Sequence, residues 1–320
     1  MKRRLLGKTG LQCSEIGLGT WAFGSPVYGA VASGEAGRVI REAIEAGVNL
    51  FDTAPLYGSA SEDGVAERVL GATLGSHRDE VIISTKFGRT STRPFPPRFN
   101  ATELRVSVEA SLRRLRRTHI DILFFHSPFS PGEIAGDVWP ECERLRGAGK
   151  VRFFGHSVSE FQATAGMCRE WARMGRIQVI QAVLSPFNRE ARMLIADCAD
   201  LGIGVLAREC LANGFLSGAV RHDTLFPAGT VNARYPREEI AARVNYAESL
   251  AQAFSAAGSA SLPEGAYRWV LGQRGVSQAL SGARSARELH AAVRGAAAQP
   301  LTAEQMASLA ALHRRDYPAA

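Results

Sequence analysis

Short apolar runs alternate along the chain with stretches in which apolar residues return every third or fourth position. The runs lie at Glu15–Gly19, Asn49–Asp52, Val81–Lys86, Ile120–Phe125, Val151–Gly155, Val179–Ala182, Gly204–Ala207 and Gln278–Leu280, and they read as strands. Helix-period stretches separate them at Glu35–Ala46, Val65–Leu74, Thr102–Arg117, Val138–Ala148, Glu160–Met174 and Ala191–Asp200, and Arg287–Ala298 follows the last strand. In Thr102–Arg117, for example, Leu104, Val108, Leu112 and Leu115 fall on one stripe. Glycine closes several helical stretches, at Ala46-Gly47, Ala148-Gly149 and Leu201-Gly202, as a left-handed C-cap requires. Strict strand–helix alternation predicts an α/β protein with a parallel sheet and right-handed crossovers. Eight such units within 320 residues favour one closed (β/α)8 barrel of the TIM type over an open doubly wound sheet, and no low-complexity linker divides residues 1–320.

Two stretches break the rhythm. Residues 88–100, with Pro94, Pro96 and Pro97, form a long loop after the third strand. Residues 210–236 form another after the seventh, followed by an extra helix near Glu238–Ala257; the chain is further expected to carry an extra C-terminal helix. In such a barrel the loops after strands surround the site, so long ones there suggest a cover for substrate or cofactor.

Composition narrows the class. Apolar residues are 46% and charged ones 22%, which supports a sizeable core and excludes disorder, collagen and coiled coil. No apolar run approaches the ~18 residues of a membrane helix, and only Leu5-Leu6 separates the basic start from Gly7. A soluble, cytoplasmic protein with no membrane partner is expected. The five cysteines are odd in number, scattered and without C-x-x-C, which fits a reducing compartment and argues against a disulfide framework. The seven histidines contain no H-x-H, so no metal site is expected. Net charge is 38 − 31 = +7, and the densest basic run, Arg113-Arg114-Leu115-Arg116-Arg117, has no interleaved aromatics. It reads as a solvated helix face rather than a nucleic-acid surface.

Gly17-Leu18-Gly19-Thr20-Trp21-Ala22 matches the G-x-G-x-x-A dinucleotide fingerprint behind a strand. That fingerprint needs a helix to start at once, and Phe23 to Ala32, with Gly24, Pro26 and Gly29, cannot supply one. The chemistry instead gathers at the ends of the second, third and fourth strands: Asp52 and Tyr57, Lys86, and His126. A lysine ending an apolar run is costly unless paired, and Asp52 on the adjacent strand is the obvious partner. A free tyrosine has a pKa of ~10, and a neighbouring ammonium is expected to lower it. Tyr57 beside Lys86 would then be a general acid for a carbonyl oxygen becoming an alkoxide, with His126 hydrogen-bonding that oxygen.

Phe51-Asp52-Thr53-Ala54-Pro55-Leu56-Tyr57-Gly58, then Thr85-Lys86-Phe87-Gly88, then His126-Ser127-Pro128 resemble the motifs of the aldo-keto reductase family. Leu6-Gly7-Lys8-Thr9-Gly10 and Ile16-Gly17-Leu18-Gly19-Thr20-Trp21 resemble it too, so the likeness runs through nearly the whole chain. The resemblance implies a barrel that binds NADP or NAD across its mouth and transfers hydride to or from a carbonyl or sugar carbon. It makes Asp52, Tyr57, Lys86 and His126 the catalytic four.

The same resemblance implies cofactor contacts at Gly19, Thr20, Trp21, Asp52, Ser157, Gln181, Arg208, Leu211, Gly214, Gly282, Arg284 and Glu288. Several positions depart from the family. Val158 stands where the family's G-V-S-N motif has Asn, and Arg208 near the place of a stacking aromatic. Glu209 and Cys210 open what would be the pyrophosphate loop. Cys210 reads as buried filler before a reactive thiol. Glu288 falls where a 2′-phosphate would be met; an acid there repels phosphate and suits a free hydroxyl, while the family default remains NADP. Trp21, Phe23, Tyr28, Phe87 and Phe95 to Phe99 are expected to wall an aromatic pocket, and Ser25-Pro26-Val27-Tyr28-Gly29 resembles the aldose and galactose dehydrogenase branch. His156 is weighed between structural hydrogen-bonder and substrate contact. A weakened carboxamide grip keeps open a second class, a non-redox sensor or regulatory barrel that binds cofactor.

Overall fold

The computed structural model describes residues 1–26, 29 and 31–317. An antiparallel hairpin comes first, β1 (Arg3–Leu5) with β2 (Gln12–Ser14), where no element was expected. Eight parallel strands then close a barrel: β3 (Ile16–Gly19), β4 (Leu50–Asp52), β5 (Ile82–Phe87), β6 (Ile120–His126), β7 (Val151–Val158), β8 (Val179–Val183), β9 (Gly204–Arg208) and β10 (Gln278–Ser281). They follow sequence order around the ring, and β10 pairs with β3 to complete it. All eight expected strands are present, β7 running past its expected end at Gly155 to Val158.

The α-helices of the described residues are α1 (Trp21–Gly24), α2 (Ser33–Glu45), α3 (Val65–Thr73), α4 (Ala101–Leu115), α5 (Val138–Gly147), α6 (Phe161–Arg173), α7 (Arg192–Asp200), α8 (Arg237–Ala256), α9 (Leu262–Leu271), α10 (Ala286–Ala297) and α11 (Ala303–Asp316). The turn α1 forms where no helix was expected, but it ends at Ser25 and starts no dinucleotide-binding crossover. Helix α8 is the extra helix anticipated near Glu238–Ala257, and α11 is the C-terminal one. Helix α9 was not anticipated from the apolar period. Its signal is a cap: the Ser261 hydroxyl accepts from the Glu264 amide, with proline in the first turn. Helix α11 begins with a full capping box between Thr302 and Gln305.

Side-chain alternation sorts the strands into two cores. Leu50, Ile82, Ile122, Phe124, Val179, Leu206 and Leu280 pack inside the barrel, and Leu6, Leu11 and Cys13 from the hairpin join them, plugging the end from which the strands rise. Outward-facing Phe51 and Ile83 pack under α2 and α3, while Leu123, Phe125, Phe154 and Ile180 pack under the remaining helices. Each large apolar side chain fully buried this way contributes about 1.5–3 kcal/mol. Toward the other end of the barrel the inward positions become polar, ending in Asp52, Lys86, His126, Ser157, Gln181 and Arg208. Among the described residues no helix is long and apolar enough to cross a membrane.

The basic run at the end of α4 is only partly a solvated face: Arg113 and Arg116 are exposed, but the other two arginines are engaged with the protein. Arg114 is paired with the fully buried Glu67 at 2.7 Å, and Arg117 is buried, donating to the carbonyls of Arg78 and Val81 and pairing with Asp121. Arg116 takes the left-handed C-cap conformation, φ 57°, which turns the chain so that Arg117 points back into the protein. Periodicity could not show this, because the partners come from α3, β6 and the segment before β5.

Candidate active site

The motif residues meet at the polar end of the barrel because three neighbouring strands stop together. Registers pair Asp52 with Ser84, and Lys86 with Phe124, so Lys86 projects beyond Asp52 towards the mouth. Lys86 is buried, 1% exposed, and its ammonium donates to Asp52 Oδ2 at 2.7 Å, the Thr53 carbonyl at 2.9 Å and Tyr57 Oη at 3.0 Å. Asp52 Oδ1 in turn accepts from Ser84 Oγ at 2.7 Å and Gln181 Nε2 at 2.9 Å. Every polar atom of the pair is thus engaged, the condition for a buried ion pair to hold. The Tyr57 ring stacks on Trp21 at 5.7 Å and meets the His126 ring edge-on at 6.1 Å.

The electrostatics correct one expectation. Tyr57 is raised, not lowered: burial is the largest cause, and Asp52 offsets part of the downward pull of Lys86. The phenol is therefore held protonated at neutral pH. Burial alone would lower Lys86, but Asp52 and Tyr57 hold it above its ordinary value, so the ammonium stays charged. His126 is pushed well below 6.5, first by burial and then by Lys86, Arg89 and Arg208, and is a neutral imidazole. Its Nδ1 is buried with no partner.

These groups open into a trough of about 770 Å³ that runs from Tyr57, Lys86 and His126 past Ser157 and Gln181 to Arg284 and Glu288 at the start of α10. Gly19, Trp21, Asp52, Ser157, Gln181, Arg208, Leu211, Gly214, Gly282, Arg284 and Glu288 all line it. Thr20 does not. It is fully buried, and both its amide and its hydroxyl donate to the Asp52 carbonyl, at 2.9 and 3.0 Å, tying β3 to β4 behind the ion pair.

Arg208 lines the trough but is fixed there. Its guanidinium pairs with Glu209 and donates to the Val158 carbonyl at 3.1 Å and Ser159 Oγ at 2.8 Å. That pairing explains the carboxylate in a loop expected to hold phosphate. Cys210 is 1% exposed and burial pushes its thiol up to about 12, so it is not a reactive thiolate. At the far end Glu288 accepts from the Arg284 amide at 2.8 Å and pairs with the Arg284 guanidinium at 3.2 Å.

The expected aromatic wall is mostly elsewhere. Phe87 and Phe99 are buried against Phe125 in the outer core, where alternation along β5 turns Phe87 away from the mouth, and Phe23 is buried with α2 and α3. Phe95 is 61% exposed and stacks on Phe129 at 5.8 Å. The aromatic rings lining the trough are Trp21, Tyr57, His126, Phe129, Phe226 and Tyr267. Val27 and Tyr28 lie outside the described residues. His156 also faces outward, against Trp171 at 5.2 Å, and neither ring nitrogen has a partner, so it is neither a hydrogen-bonder nor a substrate contact.

Residues that sequence reasoning missed include Arg89, Phe129, Asn232 and Tyr267. Arg89 had a signal, standing directly after the Thr85-Lys86-Phe87-Gly88 motif. The others come from segments whose placement depends on the closed barrel. Asn232 donates to the Asn213 carbonyl at 2.8 Å and so holds the loop after β9. In that loop Glu209, Ala212, Asn213 and Gly214 all have positive φ, 55°, 48°, 55° and 96°. Three of these are not glycine, and a left-handed backbone costs such residues roughly 1–2 kcal/mol each. A backbone curled this way presents amides as an anion-binding concavity.

The residues present fit a nicotinamide dinucleotide. The trough has the size of a cofactor site, the curled loop lies beside it, and a side chain at Gly214 or Gly282 would meet no protein atom within 4 Å and would stand in the trough. Ser157 and Gln181 present polar groups near the ion pair, and the N-terminus of α10 closes the other end.

A (β/α)8 barrel with an Asp–Lys–Tyr–His cluster at its mouth and a long trough beside it defines an oxidoreductase barrel of the aldo-keto reductase type. The chain belongs to the aldo/keto reductase family, whose model matches residues 15–314. It is 30% identical to "Aldo-keto reductase YhdN" of Bacillus subtilis over 303 residues, 91% of this chain and 87% of that one. It is 29% identical to "NADH-specific methylglyoxal reductase" of Escherichia coli over 310 residues, 90% of this chain and 91% of that one. Among solved structures, the glycerol dehydrogenase AKR11B4 from Gluconobacter oxydans superposes with a TM-score of 0.84 at 26% identity, covering 100% of this chain and 97% of that one.

Proposed function

We propose that this protein is an NAD(P)-dependent carbonyl–alcohol oxidoreductase in which Tyr57 is the general acid in reduction and the base in oxidation. The observation that carries the reading is the buried Asp52–Lys86–Tyr57 chain, with contacts of 2.7 and 3.0 Å, opening into a trough that fits a dinucleotide. When bound, the nicotinamide supplies or takes up the hydride at the carbonyl carbon. The protein's part is to bind the oxygen and move its proton. Tyr57 Oη and the neutral His126 donate to the carbonyl oxygen and direct it. As negative charge builds there, Tyr57 gives up its proton to the forming alkoxide, and the Lys86 ammonium stabilises the phenolate left behind. Asp52 keeps the ammonium charged and aimed. Gln181, Ser157, Leu211, Gly214, Gly282 and Arg284 are the residues that would hold the dinucleotide.

The Glu288 carboxylate at the adenosine end favours NAD over NADP, since it accepts from a ribose hydroxyl and repels a phosphate. An NADH-specific relative is in keeping with that choice. Small aldehydes, ketones or sugars are the substrate class. The complete set of proton-handling groups speaks against a non-redox sensor barrel. Titration with each dinucleotide, followed by turnover of a carbonyl panel in both directions, tests the reading; tight cofactor binding with no turnover of any carbonyl would overturn it.

A further inference from the structure

Seven side chains of fixed charge line the trough among the described residues, and six of them are paired: Lys86 with Asp52, Arg208 with Glu209, and Arg284 with Glu288. Arg89 is the seventh. It is 7% exposed, and no carboxylate of the described residues lies within ion-pair distance. Glu133 and Glu160 act on it only at longer range, and Glu133 is engaged with the Phe129 amide at 2.8 Å. A buried cation without a counter-ion is expensive and calls for an anion from elsewhere.

The side chain is also preorganised. One terminal nitrogen donates to the Ser127 carbonyl, and the guanidinium rests on the rings of Phe129 at 4.1 Å and Phe95 at 5.1 Å. Nε is buried with no partner. The rings lie to one side of the group, and along its edge a planar two-oxygen acceptor forms parallel hydrogen bonds. Its position separates it from the cofactor. In the ring of eight strands, β5 stands opposite β9, so Arg89 lies across the mouth from the curled loop after β9 and from α10. It sits instead beside His126, whose next residue, Ser127, supplies its carbonyl contact.

We propose that Arg89 is a specificity-determining anion receptor, and that the carbonyl compounds this protein reduces best carry a carboxylate beyond the reacting carbon. The proposal rests on the carbonyl-reduction reading above. Its test compares succinic semialdehyde with its neutral methyl ester, and glyceraldehyde phosphate with glyceraldehyde, in the native sequence, Arg89→Gln and Arg89→Lys. A charge-assisted pair predicts that the native protein prefers the acid over the ester by roughly 10- to 100-fold in kcat/KM, mostly through KM. The preference should largely vanish in Arg89→Gln and partly survive in Arg89→Lys, whereas a merely structural arginine would lower both rates together and leave their ratio alone. Equal use of acid and ester by the native protein, or a preference that survives Arg89→Gln, overturns the proposal. A preference confined to the phosphate pair overturns the carboxylate assignment. Calorimetry with succinate, which has no carbonyl to reduce, separates the two readings: if no carbonyl compound is turned over the catalytic reading fails, and succinate binding that is lost in Arg89→Gln decides the receptor by itself.

Discussion

Replacing Tyr57 by phenylalanine removes one oxygen and leaves almost everything else in place. The ring keeps its stack on Trp21 and its edge contact with His126. Lys86 keeps two of its three acceptors, Asp52 Oδ2 and the Thr53 carbonyl, so no charge is stranded. The loss in stability should therefore be about 1 kcal/mol or less, the net worth of one hydrogen bond, partly offset by the more apolar ring. The trough residues expected to hold the dinucleotide lie elsewhere, so cofactor affinity should stay within about twofold, or ~0.4 kcal/mol. Turnover is another matter. General acid catalysis contributes typically 10²–10⁴-fold, which is about 2.7–5.4 kcal/mol of barrier at ~1.36 kcal/mol per tenfold. The assay is single-turnover nicotinamide absorbance at saturating cofactor, alongside fluorescence titration of the dinucleotide and thermal melting. Carbonyl reduction at the parental rate by a folded, cofactor-binding variant would refute the acid assignment. A loss of binding and turnover together would show that the hydroxyl organises the site rather than donating a proton.

Four further outcomes follow from the same geometry. Lys86→Met leaves the Asp52 carboxylate buried without its counter-charge and should cost about 3–5 kcal/mol, whereas adding Asp52→Asn should recover much of that loss; additive losses in chemical denaturation would mean that the pair is not coupled. Since Tyr57 is raised above 10 and His126 lowered well below 6.5, neither changes charge near neutrality. Reduction should be flat from about pH 7 to about pH 9 while oxidation, which needs Tyr57 as the phenolate to accept the alcohol's proton, climbs with pH; a reduction rate that falls across that range contradicts the assignment. Glu288→Arg should shift preference towards NADP by roughly tenfold or more, read as a ratio of kcat/KM values, and an unchanged ratio would place the carboxylate outside cofactor recognition. His156 stays neutral in the fold down to about 3, whereas the unfolded chain takes up its proton near 6.5, so stability falls as pH drops through that window. At about pH 5 the penalty is about 2 kcal/mol, and His156→Phe should remove it: the variant should gain stability relative to the parent on acidification, and a constant difference between about pH 8 and pH 5 would exclude the effect.

The strand and helix pattern was legible because each barrel strand is buried on both faces and each flanking helix on one, so burial writes its own period into the residues. The four residues of the proposed catalytic cluster were legible for a related reason. A charged or hydrogen-bonding side chain that closes an apolar run has few explanations, and Asp52, Lys86 and His126 all stand at such ends. Elements whose making depends on capping or on a distant partner were not legible from period: the plugging hairpin, and α9 with its Ser261 cap.

Residue type and spacing determined that an acid, a lysine, a tyrosine and a histidine would stand at the ends of neighbouring strands. Tertiary structure decided what each charge meets. It turned Phe87 and His156 outward, gave Arg114 to Glu67 and Glu209 to Arg208, and buried Tyr57 so deeply that its proton is held rather than loosened. It also left Arg89 without a counter-charge among the described residues. Spacing along a chain sets which face of an element a side chain occupies. The free energy of a charge depends on its solvent exposure and on partners within a few ångströms, and those neighbours arrive from strands and loops far away in sequence only when the barrel closes.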